Sequence, residues 1–432
     1  MRSARLLPRA LVAALTAAAL TAVLAPVTPA SAVSVTIDKR FFGVHDTDPV
    51  SWPLVPAGSM RLWDTGTTWA DLEPAEGVYN WDRLDAIVTA SQARNAELTL
   101  VLGQTPAWAD DPASQGVGPQ YMPRMDAWTA YVAAVVNRYK SWNGRRGIAA
   151  YQVWNETNIT NYWAQNPQNS PQKMGLLTQA AYGTVKAADR GALVIGPSFA
   201  TRLGWQRTYL GTYYGQRVNG IPVWQLMDAI SLNLYPLAGG TPETSMTLLA
   251  AARTALAIRG VPRSKPLWNT EVNYGLATGG SGTSSAISAD RQAAYVLRTY
   301  LLNAAAGVKR VDWYIWDRPS IGNTKLADPT VTNLSLAGKA MGIAQGWMLG
   351  GTMVGATKRA APCAKDRAGT YTCVIRYRGG VKRIYWNPSK KVRVTTVKGA
   401  TFKVGVLGKK LKVKGGARLL VDYRPVMVRS AI

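Results

Sequence analysis

The 432-residue sequence has few residues suited to metal or nucleophilic chemistry, with one histidine and two cysteines. A zinc site built from His and Cys needs more ligands than these, and a serine triad would use the single histidine. The sequence therefore predicts no metal and no cofactor. Phenylalanine is also scarce, with 4 residues against 16 tryptophans and 19 tyrosines. Aromatic rings with polar groups suit surfaces that contact amphipathic ligands, and sugars are such ligands.

Acidic residues are few as well, because 24 Asp and Glu oppose 50 Lys and Arg, which gives a net charge of +26. The excess is concentrated in residues 350–432, which carry 20 Lys and Arg against 2 acidic residues, a net charge of +18. These cations alternate along predicted strands with little aromatic interleaving, so we expect no nucleic-acid partner. We expect this segment to bind an anionic cell-wall polymer or an acidic polysaccharide. A solvated basic face without a partner is the alternative.

The first 32 residues have the order of a secretory signal peptide. A basic start precedes an apolar stretch over residues 10–25 and the small residues Ala30-Ser31-Ala32, after which cleavage is expected. An uncleaved membrane anchor is the alternative, but Thr16 and Thr21 interrupt the apolar run. No later stretch reaches the ~18 apolar residues of a membrane span. We expect a secreted, extracellular monomer that its basic segment retains on the cell wall.

The middle of the chain alternates short β-rich runs with amphipathic helical stretches. The eight runs are 41–46, 60–64, 98–103, 148–156, 193–198, 229–236, 266–273 and 310–317. The helical stretches between them include 81–94, 125–142, 171–190, 244–259 and 290–306. Eight units of ~39 residues predict an α/β fold, a (β/α)8 TIM barrel over residues 33–349.

After the barrel the pattern changes to apolar and polar alternation, as in residues 371–377, with glycine-rich turns. This change predicts a small C-terminal antiparallel β domain over residues 350–432 that packs directly on the barrel. Cys363 and Cys373 lie there in strand-like segments. In an oxidising compartment they are expected to form a disulfide, with two unrelated buried thiols as the alternative.

Acidic side chains follow the β-rich runs, where a (β/α)8 barrel carries its catalytic residues. Five occupy such positions: Asp46, Asp64, Glu156, Glu271 and Asp317. Glu156 ends the fourth run and Glu271 the seventh, 115 residues later, or about three repeats. Both should lie on one rim and face each other across the barrel mouth. Capping or bracing of loops is the expected role of Asp46 and Asp317.

Two carboxyl groups across a cleft rich in Trp and Tyr are what glycoside hydrolysis requires. One protonates the leaving oxygen, and the other attacks or stabilises the anomeric carbon. Structural ion pairs at two strand ends are the alternative. However, each glutamate lies close to an asparagine and a tryptophan, in Trp154-Asn155-Glu156 and Trp268-Asn269-Thr270-Glu271. The catalytic interpretation is therefore favoured.

These residues resemble the clan A retaining glycoside hydrolases, in which strands four and seven bear such glutamates and an asparagine precedes the first. The segment from Arg61-Leu62-Trp63-Asp64 through Trp81-Asp82-Arg83-Leu84-Asp85 is similar to glycoside hydrolase family 39 and to the related family 5. The resemblance covers about residues 41–348. It implies a barrel enzyme that cleaves glycosidic bonds with retention of configuration.

The resemblance also implies roles for individual residues. Glu156 would be the general acid/base, and Glu271 would be the nucleophile. Asn155 would hydrogen-bond the sugar 2-hydroxyl. Tyr235 and Arg61 would contact the nucleophile. Trp316 would form the floor of the reacting-sugar subsite.

His45 and Trp108 are further candidates for substrate binding. The resemblance suggests that His45 contacts the sugar, and a structural histidine is the alternative. Trp108 is a candidate to stack on a sugar, with loop packing as the alternative. The chain departs from the families at two positions, Thr157 in place of proline and Asn233 in place of histidine. Neither departure removes a reacting group.

Together these features predict a secreted retaining glycosidase that hydrolyses O-glycosidic bonds of a polysaccharide or oligosaccharide by double displacement. A catalytically silent carbohydrate-binding protein of the cell envelope is the alternative from another class. The presence of both glutamates, the asparagine and the tyrosine favours the enzyme.

Overall fold

The computed structural model of the protein describes residues 36–114, 116–164, 166, 169–276, 286–318, 322–357 and 360–431. The predicted signal peptide at residues 1–32 lies outside the described residues. Within the described ranges, no helix is both long enough and apolar enough to cross a membrane.

Eight short parallel strands form the barrel. They are β1 (Phe42–Val44), β2 (Ser59–Leu62), β3 (Glu97–Leu102), β4 (Ala150–Val153), β5 (Leu193–Ile195), β6 (Ile230–Asn233), β7 (Leu267–Val272) and β8 (Arg310–Trp313). The sheet runs from β5 back to β1 and on through β8 and β7 to β6. Single backbone pairings, Ile195 with Ala229 and Ala200 with Asn233, join its two edges. Each predicted run overlaps one strand, with β2 and β3 beginning one residue earlier than predicted, and the TIM barrel is confirmed.

Helices surround the strands, with their apolar residues buried against the barrel. They are α1 (Trp69–Leu72), α2 (Asp82–Ala93), α3 (Met125–Tyr139), α4 (Pro171–Ala188), α5 (Gly204–Tyr214), α6 (Pro242–Ile258), α7 (Ala289–Ala305) and α8 (Leu336–Met348). Helix α6 begins two residues before the predicted stretch, because Pro242 occupies its first position after Thr241. The sequence patterns did not single out α1, α5 and α8.

The C-terminal segment folds into antiparallel β-structure, as predicted. Its strands are β9 (Thr352–Val354), β10 (Cys363–Lys365), β11 (Tyr371–Tyr377), β12 (Gly380–Trp386), β13 (Val392–Thr395), β14 (Ala400–Val404), β15 (Lys410–Lys412), β16 (Arg418–Val421) and β17 (Val426–Ser430). One sheet has the order β9-β11-β12-β17-β14-β15, with β10 paired to β11, and β13 pairs with β16 in a second sheet.

The two cysteines lie on neighbouring strands of the larger sheet. Cys363 of β10 is directly opposite Cys373 of β11, and the two form a disulfide. The predicted disulfide is therefore confirmed.

A buried ion pair anchors the β domain to the barrel helices. Glu243 of α6 accepts a hydrogen bond from Nε of Arg298 of α7 at 2.8 Å, and the indole N–H of Trp386 of β12 donates to the same carboxylate at 2.9 Å. Tyr371 stacks on Trp386 with ring centres 4.8 Å apart. Arg298 is 1% exposed. Burial raises the pKa of Glu243, but the charge of Arg298 and the hydrogen bonds from Arg298 and Trp386 together lower it by more, so the net shift is downward.

We expect the protein to lose much stability when one partner of this ion pair is made neutral. Glu243→Gln leaves Arg298 buried without a counter-charge, so the free energy of unfolding should fall by about 3–5 kcal/mol. Because the folded pKa of Glu243 is depressed, this stabilisation exists above the unfolded pKa and disappears as the pH falls through the folded pKa. Urea unfolding at neutral and acidic pH measures both effects.

The matched control is Asp126→Asn, which removes a pair between Arg124 and the 75% exposed Asp126. This change should lower the free energy of unfolding by less than about 1 kcal/mol. A loss below about 1 kcal/mol in Glu243→Gln would contradict the anchoring role.

Candidate active site

Arg61 of β2 lies at the centre of the barrel mouth, and its side chain is fully buried. Its Nε donates to Oε1 of Gln152 at 2.6 Å, Nη1 donates to Oε1 of Glu271 at 2.7 Å, and Nη2 donates to Oδ1 of Asn155 at 2.7 Å. Because these acceptors lie on β7, on β4 and just after β4, one cation connects three strands. A buried guanidinium needs all its partners, so the network holds them in fixed positions.

Glu271, near the end of β7, is 6% exposed and has donors on both carboxylate oxygens. Oε1 accepts from Arg61, and Oε2 accepts from the hydroxyl of Tyr235 at 2.9 Å. Tyr235 follows β6 and is itself buried. Hydrogen bonds of this kind stabilise the ionised form of a carboxyl group.

Glu156 reaches the mouth through a tight backbone turn after β4. Trp154 and Glu156 have φ angles of 63° and 38°, a region that residues other than glycine rarely adopt. Ser198 holds the turn, because its Oγ accepts from the backbone N–H of Glu156 at 2.8 Å and donates to Oδ1 of Asn155 at 3.0 Å. The carbonyl of Ser198 accepts from the N–H of Thr157 at 3.1 Å. Proline could not make this last bond, so Thr157 contributes a contact that the family residue would lack.

Asn233, the second departure from the family pattern, contacts Glu156 directly. Its Nδ2 donates to Oε1 of Glu156 at 3.0 Å, and its Oδ1 accepts from the hydroxyl of Thr270 at 2.8 Å. Because Thr270 directly precedes Glu271, Asn233 hydrogen-bonds both Glu156 and the residue next to Glu271. In the sequence, this residue is recognised only as a departure from the family pattern, and its contact with Glu156 is not evident there.

The two glutamates have unequal electrostatic surroundings. Burial has the largest effect on the pKa of Glu271 and leaves it raised, with the charges of Glu156 and Asp64 acting in the same direction and Arg61 in the opposite one. Burial also raises the pKa of Glu156, which the amide of Asn233 lowers. A guanidinium and a phenol hydrogen-bond the carboxylate of Glu271, whereas a neutral amide contacts Glu156. These contacts favour the ionised form of Glu271 more than that of Glu156, so we expect Glu156 to be the proton donor.

The other acidic residues predicted at strand ends also lie at this rim. Asp64 accepts a hydrogen bond from the hydroxyl of Tyr314 at 2.7 Å. Asp317 accepts the backbone N–H of Thr47 at 3.1 Å, and Asp46 accepts the N–H two residues further on at 3.1 Å. Burial and the nearby charge of Asp317 raise the pKa of Asp46 to about 7. These contacts agree with the loop-bracing role expected of Asp46 and Asp317.

His45, Trp316 and Trp108 make contacts within the protein. His45 is 1% exposed, burial lowers its pKa well below the ordinary value, and its Nε2 lies 2.9 Å from the carbonyl of Thr270. Trp316 is 4% exposed, and its backbone N–H donates to the carbonyl of His45. The half-buried Trp108 donates its indole N–H to the carbonyl of Glu73 at 2.8 Å. Sugar contact by these residues stays a prediction.

Several side chains of the site were not predicted from the sequence. They are Gln152 and Ser198 beside the glutamates, Tyr314 at the rim, and Arg202, whose guanidinium carbon lies 5.5 Å from the ring centre of Tyr235. Gln152, Ser198 and Tyr314 fall within predicted runs, where strand alternation could have suggested an inward direction. Arg202 lies in a loop and has no such signal.

Comparisons with known proteins identify the fold. No protein-family model matches the sequence, and no curated protein matches it. Solved structures that resemble the chain include three glycoside hydrolases. The first is a family 39 glycoside hydrolase from Bacteroides cellulosilyticus WH2, with a TM-score of 0.66 and 17% sequence identity over 92% of this chain and 82% of that chain. The second is a GH39 enzyme from Xanthomonas axonopodis pv. citri, with a TM-score of 0.60 and 16% identity over 93% of this chain and 96% of that chain. The third is a GH30 endoxylanase from Clostridium papyrosolvens C71, with a TM-score of 0.60 and 16% identity over 93% of this chain and 98% of that chain.

At these identities the likeness concerns the fold, and the predicted resemblance to clan A glycoside hydrolases such as family 39 is confirmed at that level. Each match covers more than nine tenths of the chain, which is more than the barrel alone. The structural likeness therefore extends into the β domain, beyond the residues 41–348 on which the sequence resemblance rested.

The unequal surroundings predict opposite responses of Glu271 to two substitutions. Asp64→Asn removes a neighbouring negative charge and should lower the pKa of Glu271. Tyr235→Phe removes a hydrogen bond to the carboxylate and should raise that pKa. The measurement is a pH titration of 13C-labelled glutamate carboxyls by NMR, with Asp126→Asn as a distant control that leaves the pKa unchanged. Shifts of the same sign in both variants would contradict the assigned contacts.

Proposed function

We propose that the protein is a secreted retaining glycoside hydrolase that cleaves O-glycosidic bonds of a polysaccharide or oligosaccharide. The observation that carries the proposal is the unequal pair of glutamates at the barrel mouth. Arg61 and Tyr235 bind Glu271, whereas the partly exposed Glu156 has the amide of Asn233. Solved structures with this fold include family 39 glycoside hydrolases and an endoxylanase, which supports the reaction class. The predicted signal peptide and the disulfide support secretion.

In the first step, the carboxylic acid of Glu156 transfers its proton to the glycosidic oxygen. The bond between that oxygen and the anomeric carbon breaks, and its electron pair leaves with the oxygen. The carboxylate of Glu271 forms a new bond to the anomeric carbon, which gives a glycosyl ester on the protein. Arg61 and Tyr235 hold the attacking carboxylate in place before the reaction.

In the second step, the carboxylate of Glu156 accepts a proton from water, and the water oxygen attacks the anomeric carbon. The ester bond to Glu271 breaks, and two inversions leave the configuration unchanged. Asn155 uses its Oδ1 for Arg61 and Ser198, so its amide protons remain to donate to a sugar hydroxyl. Such a bond strengthens as charge develops on the sugar ring.

The two glutamates should respond differently to substitution. Glu271→Ala should abolish turnover of every substrate, because no nucleophile remains. Glu156→Ala should spare aryl glycosides with good leaving groups, since these depart without a proton. Azide should rescue Glu271→Ala and give a product of inverted configuration. Initial rates and the anomeric configuration of the products, measured by NMR over a panel of aryl glycosides and polysaccharides, test these expectations.

Equal residual activity of the two variants on an aryl glycoside would mean that the roles are wrongly assigned. Binding of an oligosaccharide without turnover by the unmodified protein would favour the silent carbohydrate-binding alternative.

We further propose that the β domain binds an anionic cell-wall polymer or an acidic polysaccharide. Residues 350–432 carry a net charge of +18, and Lys409, Lys410, Lys412 and Lys414 are all exposed around β15. Clustered exposed cations raise the local concentration of a polyanion through long-range attraction. This attraction would keep a secreted enzyme at the cell wall.

Binding to an acidic polymer should therefore depend on salt and on these lysines. The intact protein should sediment with the polymer at low salt and be released at 1 M salt, where the Debye length falls to about 3 Å. Changing the four lysines to Gln should weaken the binding at low salt. A pull-down at both salt concentrations measures the bound fraction.

The control removes the same charge from the barrel surface, by changing the exposed residues Lys140, Arg190, Arg263 and Lys339 to Gln. This control should retain most of the binding. If the intact protein fails to bind at low salt, or if both variants lose binding equally, the β domain is not the binding surface.

A further inference from the structure

Arg202 places a cation beside the two glutamates, in the segment between β5 and α5. Its guanidinium carbon lies 5.5 Å from the centre of the Tyr235 ring, and the hydroxyl of that tyrosine bonds Glu271 at 2.9 Å. The Arg202 charge also acts on Glu156, whose pKa it lowers. The guanidinium therefore belongs to the wall of the same cleft.

The backbone before Arg202 is fixed to the site. The hydroxyl of Thr201 donates to the carbonyl of Asn233 at 2.9 Å, and Asn233 also bonds Glu156. Asn158 holds Ala200 by two hydrogen bonds, of 2.8 Å to its carbonyl and 3.0 Å from its N–H. Arg202 is thus presented by a supported segment, which is what a binding residue requires.

Arg202 differs from the buried arginines Arg61 and Arg298 in having no carboxylate partner. Arg61 binds Glu271 and Arg298 binds Glu243. Across the residues that the structure describes, no carboxylate oxygen lies within salt-bridge distance of Arg202, and its one close partner is the face of the Tyr235 ring. A half-buried guanidinium with most of its donors unused can bind an anion from outside the protein.

An unneutralised cation at this position opposes the chemistry proposed for Glu156. That residue must carry a proton in the first step, and a nearby positive charge favours its ionised form. An anion bound to Arg202 would offset this charge and favour the protonated form of Glu156 further. The position of the cation therefore suits a substrate that carries a negative charge.

We propose that Arg202 binds an anionic group on a sugar unit next to the cleaved bond, so that the substrate is an acidic polysaccharide. The anionic group is a uronic-acid carboxylate or a sulfate ester, both of which match the planar guanidinium through two parallel hydrogen bonds. This inference rests on the proposed glycosidase function and specifies its substrate class.

The test compares binding of acidic oligosaccharides with that of their neutral counterparts. The probes are tetrasaccharides of polygalacturonate, alginate, hyaluronan and chondroitin sulfate, each also in carboxyl-reduced form, and the last also in desulfated form. Calorimetry with a protein carrying Glu271→Ala prevents turnover, and the four lysine-to-Gln changes at β15 reduce binding by the β domain. Arg202→Gln is compared with Arg190→Gln, an exposed arginine at the opposite end of the barrel.

We expect at least one acidic tetrasaccharide to bind more tightly than its neutral form. Arg202→Gln should weaken that binding about 10- to 100-fold and change binding of the neutral form less than about 3-fold. Arg190→Gln should change neither. Loss of preference on carboxyl reduction identifies a carboxylate ligand, and loss on desulfation identifies a sulfate ligand.

Equal affinity for acidic and neutral forms, or equal effects of Arg202→Gln on both, would overturn the inference. Activity assays on the unmodified protein separate this result from failure of the proposed function. Turnover of neutral and acidic substrates at equal rates would contradict only the role of Arg202. Absence of turnover with an intact Arg202-dependent binding preference would contradict only the hydrolase.

Discussion

The arrangement of the site depends on the buried guanidinium of Arg61. Its three hydrogen bonds fix Gln152 and Asn155, on and just after β4, relative to Glu271 on β7, more than 100 residues later in the sequence. Because leaving any of these contacts unmade would be costly inside the barrel, the guanidinium sets the direction of the Glu271 carboxylate and of the Asn155 amide together. The turn that presents Glu156 includes this asparagine, and Ser198 supports both residues.

A second feature is the placement of positive charge. Arg61 and Arg298 are buried with carboxylate partners and serve the structure, whereas Arg202 and the lysines around β15 have unused donors facing solvent or the cleft. The two buried arginines stabilise one arrangement of the chain, because each must lie next to its carboxylate partner. Arg202 and these lysines are available to external anions. Both of our proposals about binding partners point to the same class, a negatively charged polysaccharide, from separate parts of the chain.

The sequence was sufficient for the barrel, the β domain and the disulfide, because strand periodicity and strand spacing are local signals. It also indicated Glu156 and Glu271, since each ends a β-rich run. It did not reveal Asn233 as a partner of Glu156 or Ser198 as the support of the turn, because these contacts join residues 77 and 42 positions apart. Arg202 was missed for a similar reason, since its loop shows no periodicity and its only marker is the tyrosine face that it covers.

In the proposed mechanism, Glu271 forms a covalent bond to the substrate. Incubation with an activated 2-deoxy-2-fluoro glycoside tests it directly, because the fluorine destabilises the charged transition state and allows the intermediate to accumulate. The account predicts that one fluorosugar becomes attached to the protein and that peptide mass spectrometry locates it on Glu271. Attachment to a different residue, or hydrolysis of natural substrates with inversion of configuration, would contradict the account.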